Sequence, residues 1–109
     1  MRYAARIVHR LLEDKEAEDK TPWIGVDLDG TLARYTDWKG KYHIGTPVQK
    51  MVRRVKRWLA QGKKVKILTA RAKDKETIPA VKRWLRKHGM EGIEVTNEKD
   101  RYMTKLWDD

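Results

Sequence analysis

The sequence predicts an α/β domain built on a small parallel sheet with helices on both of its faces. Two short apolar runs with β-branched residues, at 23–28 and 64–69, are typical of buried strands. Segments with apolar residues at helical spacing lie between and after them, and this alternation implies right-handed crossovers and a parallel sheet. A chain of 109 residues has room for one hydrophobic core. We therefore expect a single domain over residues 1–109.

The first expected element is an amphipathic helix within residues 1–20. The charged stretch Glu13–Lys20 ends this helix. The first strand follows at Trp23–Leu28, and residues 30–46 are expected to form a long loop that contains several glycines. The apolar positions that recur at helical spacing in the first helix are Ile7, Val8, Leu11 and Leu12.

The second helix is expected over residues 47–61. Thr46 is the predicted N-cap and Pro47 the first helical residue, because proline at that position loses no intrahelical hydrogen bond. Gly62 supplies the stop signal, and the second strand follows at Lys64–Thr69. The inner stripe of this helix consists of Val48, Met51, Val52, Val55, Trp58 and Leu59.

The remaining expected elements are a third helix and two short strands. Gly89 marks the end of the helix, Ile93–Thr96 is the third strand and Lys105–Trp107 is a fourth. The inner positions of the helix are Ile78, Val81, Trp84 and Leu85. Binding sites in open parallel sheets form outside the carboxyl ends of the strands, so polar residues at those ends are the candidates for function.

The composition excludes several classes of protein. The chain has no cysteine, which excludes disulfides, thiolate metal sites and a cysteine nucleophile. No apolar run approaches the roughly 20 residues of a membrane span. The N-terminal segment carries charges throughout and lacks the uncharged core of a signal peptide. We expect a cytoplasmic protein that does not bind a membrane.

The positive charge is concentrated in one segment. The net charge is +10, and residues 50–73 include ten lysines or arginines and no aspartate or glutamate. These ten residues are Lys50, Arg53, Arg54, Lys56, Arg57, Lys63, Lys64, Lys66, Arg71 and Lys73. Such a segment can attract polyanions such as nucleic acid, or it can be a solvated helix face. The charge pattern alone leaves both interpretations open.

Two aspartates, Asp27 and Asp29, stand where the first strand ends. Residues two apart on a strand point to the same side, so these carboxylates are expected to lie close together. Like charges repel each other there unless a cation or a shared proton intervenes. Oxygen ligands without cysteine or histidine favour magnesium over zinc. Gly30 permits a sharp turn that exposes backbone N–H groups to an anion.

The string VDLDGTL at residues 26–32 resembles the first motif of the haloacid dehalogenase (HAD) superfamily. The later motifs of that superfamily are matched in order by Thr69 in ILT, Lys99 in TNEKD and the pair Asp108–Asp109 in LWDD. The resemblance implies a Rossmann-like, three-layer α/β/α fold. It identifies 23–109 as a catalytic core that is minimal or truncated at its C-terminal end, since the family usually continues beyond the last motif.

The resemblance implies a phosphatase, a phosphoric monoester hydrolase that depends on Mg²⁺. Asp27 would be the nucleophile and form an aspartyl-phosphate. Asp29 would protonate the leaving oxygen and then take a proton from the attacking water. Mg²⁺ would be held by Asp27, the backbone carbonyl of Asp29 and Asp108. Asp109 would act through water or orient Asp108.

The same resemblance assigns the binding of the phosphate group to three positions. Thr69 and the backbone N–H groups of the turn at Gly30 would bind the phosphate oxygens. Lys99 would place a positive charge beside the phosphate and the nucleophile.

No cap domain is expected, because the intervals between the motifs are too short to hold one. The loop Tyr35–Gly45 is the candidate lid, and an open site would admit large substrates. The string DLDGTLARY is also similar to the 3′-phosphatase half of polynucleotide kinase–phosphatases, which act on nucleic-acid ends. Arg71, Lys73 and Trp38 are the candidates for the rim that contacts the substrate.

The interpretation with the most support is thus a phosphohydrolase for a phosphorylated nucleotide or nucleic-acid end. One alternative is a non-catalytic module that binds nucleic acid through residues 50–73. The other is a general phosphatase for phosphorylated small molecules. An oligomer is possible, since a second copy could cover an open sheet edge.

Overall fold

The computed structural model describes residues 20–108, which form a small α/β domain with a four-stranded parallel sheet and two helices. The strands are β1 (Trp23–Asp27), β2 (Lys64–Leu68), β3 (Glu94–Thr96) and β4 (Met103–Trp107), and the helices are α1 (Gln49–Ala60) and α2 (Ile78–Lys87). Residues 1–19, where the first helix is expected, and Asp109 lie outside the described residues. None of the helices within 20–108 combines the length and the apolar character that a membrane span requires.

The strand order is β3-β2-β1-β4, so β1 lies inside the sheet. All neighbouring strands are parallel, and Val26 of β1 stands opposite Ile67 of β2 and Trp107 of β4. The expectation of a parallel sheet is therefore confirmed, and the strand that ends in Asp27 lies inside it. Because β1 is flanked on both sides, its carboxyl end opens in the middle of one sheet edge.

The hydrophobic core of the described residues lies against one face of the sheet. Ile24 and Val26 of β1 alternate with residues of the other face, as do Val65 and Ile67 of β2. Both helices contribute to the same core cluster, with Met51, Val52, Val55, Trp58, Val81 and Leu85. This agrees with two right-handed crossovers that advance in the same direction across the sheet, which place α1 and α2 on the same face.

The start of α1 differs from the prediction. The helix begins at Gln49, its N-cap is Val48, and no side chain caps it, so the predicted roles of Thr46 and Pro47 are wrong. The backbone N–H of Val48 instead donates to the carbonyl of Leu32 at 2.8 Å. The N–H of Val48, which a Thr46 cap would have bound, is therefore already paired with the turn after β1.

The connection from β2 to α2 consists of two 3₁₀ segments, Ala70–Lys73 and Lys75–Thr77. The side chains of Thr69 and Asp74 cap them by accepting backbone N–H bonds. This tight path turns the side chain of Arg71 inward, toward the carboxyl end of β1.

The candidate lid, loop 35–45, is fastened to neighbouring elements. The indole Nε1 of Trp84 donates to the carbonyl of Gly45 at 3.0 Å, and Lys41 forms an ion pair with Asp74 at 3.1 Å. A Cβ atom at Gly45 would lie 2.1 Å from the backbone oxygen of Arg34, so the close crossing at the base of the loop requires glycine. These contacts hold loop 35–45, which we call the strap loop, near the carboxyl end of β1.

Candidate active site

Three carboxylates act on one another at the carboxyl ends of β1 and β4. Burial raises the pKa of Asp27, a backbone hydrogen bond from Leu28 partly lowers it, and the negative charges of Asp29 and Asp108 raise it again. Asp108 directly follows β4, the neighbour of β1 in the sheet. The arrangement therefore concentrates negative charge around the partly buried carboxylate of Asp27, and a bound cation would relieve the repulsion.

A compact turn follows β1 and fixes the positions of the two aspartates. Gly30 has φ +87°, a conformation that favours glycine, and its N–H donates to the carbonyl of Ala33 at 2.8 Å. Leu28 and Leu32 are fully buried and are joined by a backbone hydrogen bond of 3.0 Å. The N–H of Gly30 is thus used inside the turn, so Gly30 contributes shape here and its own N–H is not directed to a ligand.

Asp29 is bound by Arg71, a residue expected from the sequence at the rim of the site. The guanidinium Nε and Nη2 donate to the two carboxylate oxygens of Asp29, each at 2.9 Å. Nη1 donates to the carbonyl of Lys41 at 2.8 Å, and the guanidinium lies 4.9 Å from the ring centroid of Trp38. Only 8% of Arg71 is exposed. Arg71 therefore joins the turn after β1 to the strap loop.

The sequence contains a signal for this ion pair. Asp27 stands opposite Leu68 in the parallel register of β1 and β2, so residues shortly after the two strands come close together. Asp29 and Arg71 have opposite charges and follow these paired positions by two and three residues. In a bidentate pair the planar guanidinium faces both carboxylate oxygens, and the 3₁₀ segment Ala70–Lys73 holds Arg71 in that orientation.

Thr69 directly follows β2 and lines a cavity that Asp29 also lines. It is buried, its backbone N–H donates to the carbonyl of Thr96 at 2.9 Å, and its hydroxyl accepts from the N–H of Arg71 at 3.2 Å. A cavity of about 330 Å³ is lined by Thr69, Asp29, Trp38 and neighbouring residues. The structure therefore brings Thr69 and Asp29 to one cavity.

A second cavity, of about 400 Å³, adjoins the first and shares Asp29, Tyr35 and Arg71 with it. The large apolar side chains that remain exposed among residues 20–108 are all in the strap loop: Tyr35, Trp38 and Tyr42, at 48%, 57% and 55%. A larger cavity of about 690 Å³ lies between α2 and β3 and contains none of the predicted site residues. The two cavities at Asp29 are therefore the candidate substrate space.

Lys99 and Lys73 are exposed and are not brought into the carboxylate cluster. Lys99 lies in the connection from β3 to β4, and within residues 20–108 it has no ion pair or hydrogen bond with a carboxylate. Its neighbour Asp100 accepts a hydrogen bond of 2.8 Å from the indole of Trp23, at the start of β1. The contact of Lys99 with phosphate, implied by the resemblance, stays a prediction.

The oxygen donors at this edge of the sheet decide whether Mg²⁺ can bind there. Within residues 20–108, no three His, Cys, Asp or Glu side chains are arranged to hold a metal ion. The carboxylate of Asp29 is taken by Arg71, which leaves the carboxylates of Asp27 and Asp108. Mg²⁺ usually binds one or two carboxylates, keeps several waters and accepts substrate phosphate as a further ligand. Two carboxylates with oxygen donors only are therefore a donor set that fits Mg²⁺.

No protein-family model, curated protein or solved structure matches this sequence.

Proposed function

We propose that the protein is a magnesium-dependent phosphohydrolase of the HAD type, with a three-layer Rossmann-like core and no cap domain. The observation that carries the proposal is the environment of Asp27. Its carboxylate ends an interior parallel strand and is partly buried, and Asp108 on the adjacent strand repels it. A structural residue would gain nothing from this repulsion, whereas a nucleophile that binds a metal together with Asp108 would.

In the proposed reaction, an oxygen of Asp27 attacks the phosphorus in line with the leaving oxygen. The P–O bond to the leaving group breaks as the bond to Asp27 forms, and the leaving oxygen takes a proton that Asp29 binds from solvent once one of its oxygens is released by Arg71. Water then attacks the aspartyl-phosphate, Asp29 takes the proton of that water, and the P–O bond to Asp27 breaks. Bound Mg²⁺ would supply neutralisation of phosphate charge.

Arg71 restricts how Asp29 takes part in this reaction. Both carboxylate oxygens of Asp29 accept N–H bonds from Arg71, so one of these bonds must open before Asp29 can exchange a proton with the leaving group. Both cavities at the site are lined by Asp29 and Arg71. We therefore expect the part of the leaving group next to the scissile phosphate to occupy these cavities and to open that bond.

The proposed substrate is a phosphorylated nucleotide or nucleic-acid end. The exposed rings of Tyr35 and Trp38 line the cavities, and aromatic rings bind nucleobases by stacking. Arg34 and Lys39 line the cavity of about 400 Å³ and add positive charge for a polyanionic substrate. The test is release of phosphate from nucleotides, sugar phosphates and phosphorylated oligonucleotides, with and without Mg²⁺. No release from any of them with Mg²⁺ present would contradict the proposal.

Replacing Asp29 by Asn is expected to lower kcat by about 10²–10⁴-fold, as is typical when a general acid–base group is removed. Asn keeps the shape of the side chain and one acceptor for Arg71, so the fold should persist. Phosphate release under saturating substrate measures the effect. The control is Glu91→Gln, an exposed carboxylate far from the motif, which should leave kcat unchanged. Normal kcat in Asp29→Asn would exclude the acid–base role.

Mg²⁺ is expected to raise the melting temperature of the protein and to have no such effect on Asp108→Asn. A ligand that binds only the folded state stabilises it by about 2.7 kcal/mol at 100 times its Kd. Thermal melts in MgCl₂ are compared with melts in NaCl at equal ionic strength. Equal stabilisation of the unmodified protein and of Asp108→Asn by Mg²⁺ would show that Asp108 is not a metal ligand. A requirement for zinc or iron in the activity assay would exclude magnesium as the metal that the reaction uses.

A further inference from the structure

Helix α1 carries a row of cations on its outer side. Lys50, Arg53, Arg54 and Arg57 are spaced at i, i+3, i+4 and i+7, which places them on one face of the helix. The other face is buried in the core, and the helix contains no acidic residue. These four residues therefore form a surface of one charge sign, which we call the α1 row.

Within the described part of the chain, the α1 row has no acidic partner. Among residues 20–108, no carboxylate lies within 4.0 Å of a cationic nitrogen of these four side chains, whereas Lys41, Lys66 and Arg71 all have acidic partners. The guanidinium of Arg54 lies 4.2 Å from the ring centroid of Trp107, a contact that leaves its charge in place. The charge of the row is available to a ligand from solution.

The α1 row begins at the candidate active site. Lys50 and Arg54 line a cavity of about 320 Å³ together with Thr31, Trp107 and the proposed metal ligand Asp108. The indole nitrogen of Trp107 is buried and has no hydrogen-bond partner among the described residues. Buried donors are nearly always paired, so Trp107 is an unusual residue in the lining of this cavity. The two cations in the lining, Lys50 and Arg54, have the charge to bind a phosphate group.

Resting on the proposed phosphohydrolase function, we infer that the α1 row binds the phosphates of a single nucleic-acid strand whose phosphorylated end reaches Asp27. Seven residues of α-helix span about 10 Å, so the row is long enough to contact more than one consecutive phosphate of a strand. The cavity at Lys50 and Arg54 receives the phosphate nearest the catalytic edge. The strand then follows Arg53 and Arg57 away from it.

A nucleic-acid strand fits this surface better than an anionic membrane does. Helices that lie on membranes insert an apolar face, and the apolar residues of α1 at Met51, Val52, Val55 and Trp58 are buried in the core. The row also leads into a site proposed to hold a phosphate group. A strand with a terminal phosphate uses both features at once.

The experiment measures binding of a fluorescently labelled, terminally phosphorylated single-stranded oligonucleotide to the full chain by anisotropy, over a series of salt concentrations and without Mg²⁺. The test variant is Arg53→Gln/Arg57→Gln. The matched control is Arg83→Gln/Arg86→Gln, which removes the same charge from exposed positions of α2. The slope of log Kobs against log salt is expected to shrink by about 0.7 per lost phosphate contact, or about 1.4 in the test variant. The control should keep the slope of the unmodified chain.

Each outcome decides the inference. Equal loss of slope in both double variants would overturn it, because a general positive field would then explain the binding. Phosphate release from small esters without binding of the oligonucleotide would overturn the proposed role of the α1 row and would still support the phosphohydrolase function. Binding of anionic vesicles in place of the oligonucleotide would assign the row to a membrane and overturn it. Slope loss confined to the test variant, without phosphate release from any substrate, would support the row and reject the proposed function.

Discussion

Replacing Asp27 by Asn is expected to abolish phosphate release and at the same time to raise the thermal stability at neutral pH. An amide cannot form the aspartyl-phosphate, so turnover should fall on the order of 10⁴- to 10⁶-fold, as when the nucleophile of another hydrolase is removed. Stability should rise because the substitution removes a partly buried charge that Asp29 and Asp108 repel. An ordinary structural aspartate would give the opposite change in stability.

The gain in stability should depend on pH in a defined direction. The pKa of Asp27 is raised above its ordinary value of 3.8, so the folded state binds the proton more tightly than the unfolded state. As pH rises through these two pKa values, the unmodified protein loses stability relative to Asp27→Asn. The difference in melting temperature should therefore vanish below about pH 3.8 and grow as pH rises above it. A lower melting temperature for Asp27→Asn at neutral pH would contradict the assignment.

Replacing Arg71 by Met is expected to destabilise the fold strongly, by about 3 kcal/mol. Removal of one partner of a buried ion pair typically costs about 3–5 kcal/mol, and the lower value applies because the side chain of Asp29 is 25% exposed. The substitution also leaves the carbonyl of Lys41 without its donor and frees the ring of Trp38. Denaturant unfolding measures the loss.

The control for this effect is Lys73→Met in the same 3₁₀ segment. Lys73 is exposed, so its substitution should change the free energy of unfolding by less than about 0.5 kcal/mol. The double variant Arg71→Met/Asp29→Asn should recover part of the loss, because no unpaired carboxylate remains. A loss in Arg71→Met as small as in Lys73→Met would show that the ion pair does not hold the strap loop.

The local pattern of the sequence is enough to predict much of the sheet. The apolar runs at 23–28 and 64–69 contain β1 and β2, and the alternation with helices predicts their parallel order. Placement of Asp27 and Asp29 where the first strand ends follows from the same pattern. These features depend on residues close in the chain, whose spacing alone decides whether they form a strand or a helix.

Features that depend on residues far apart in the chain were decided by the tertiary structure. The sequence by itself determined the strands, the order of the motifs and the concentration of charge in residues 50–73. Only the folded chain decided that α1 begins at Gln49, since pairing with the turn after β1 overrides the capping signal at Thr46. The position of Arg71 on Asp29, and not at the expected rim, was also decided by the fold, because a partly buried carboxylate is stabilised by a partner and the parallel register brings that arginine close.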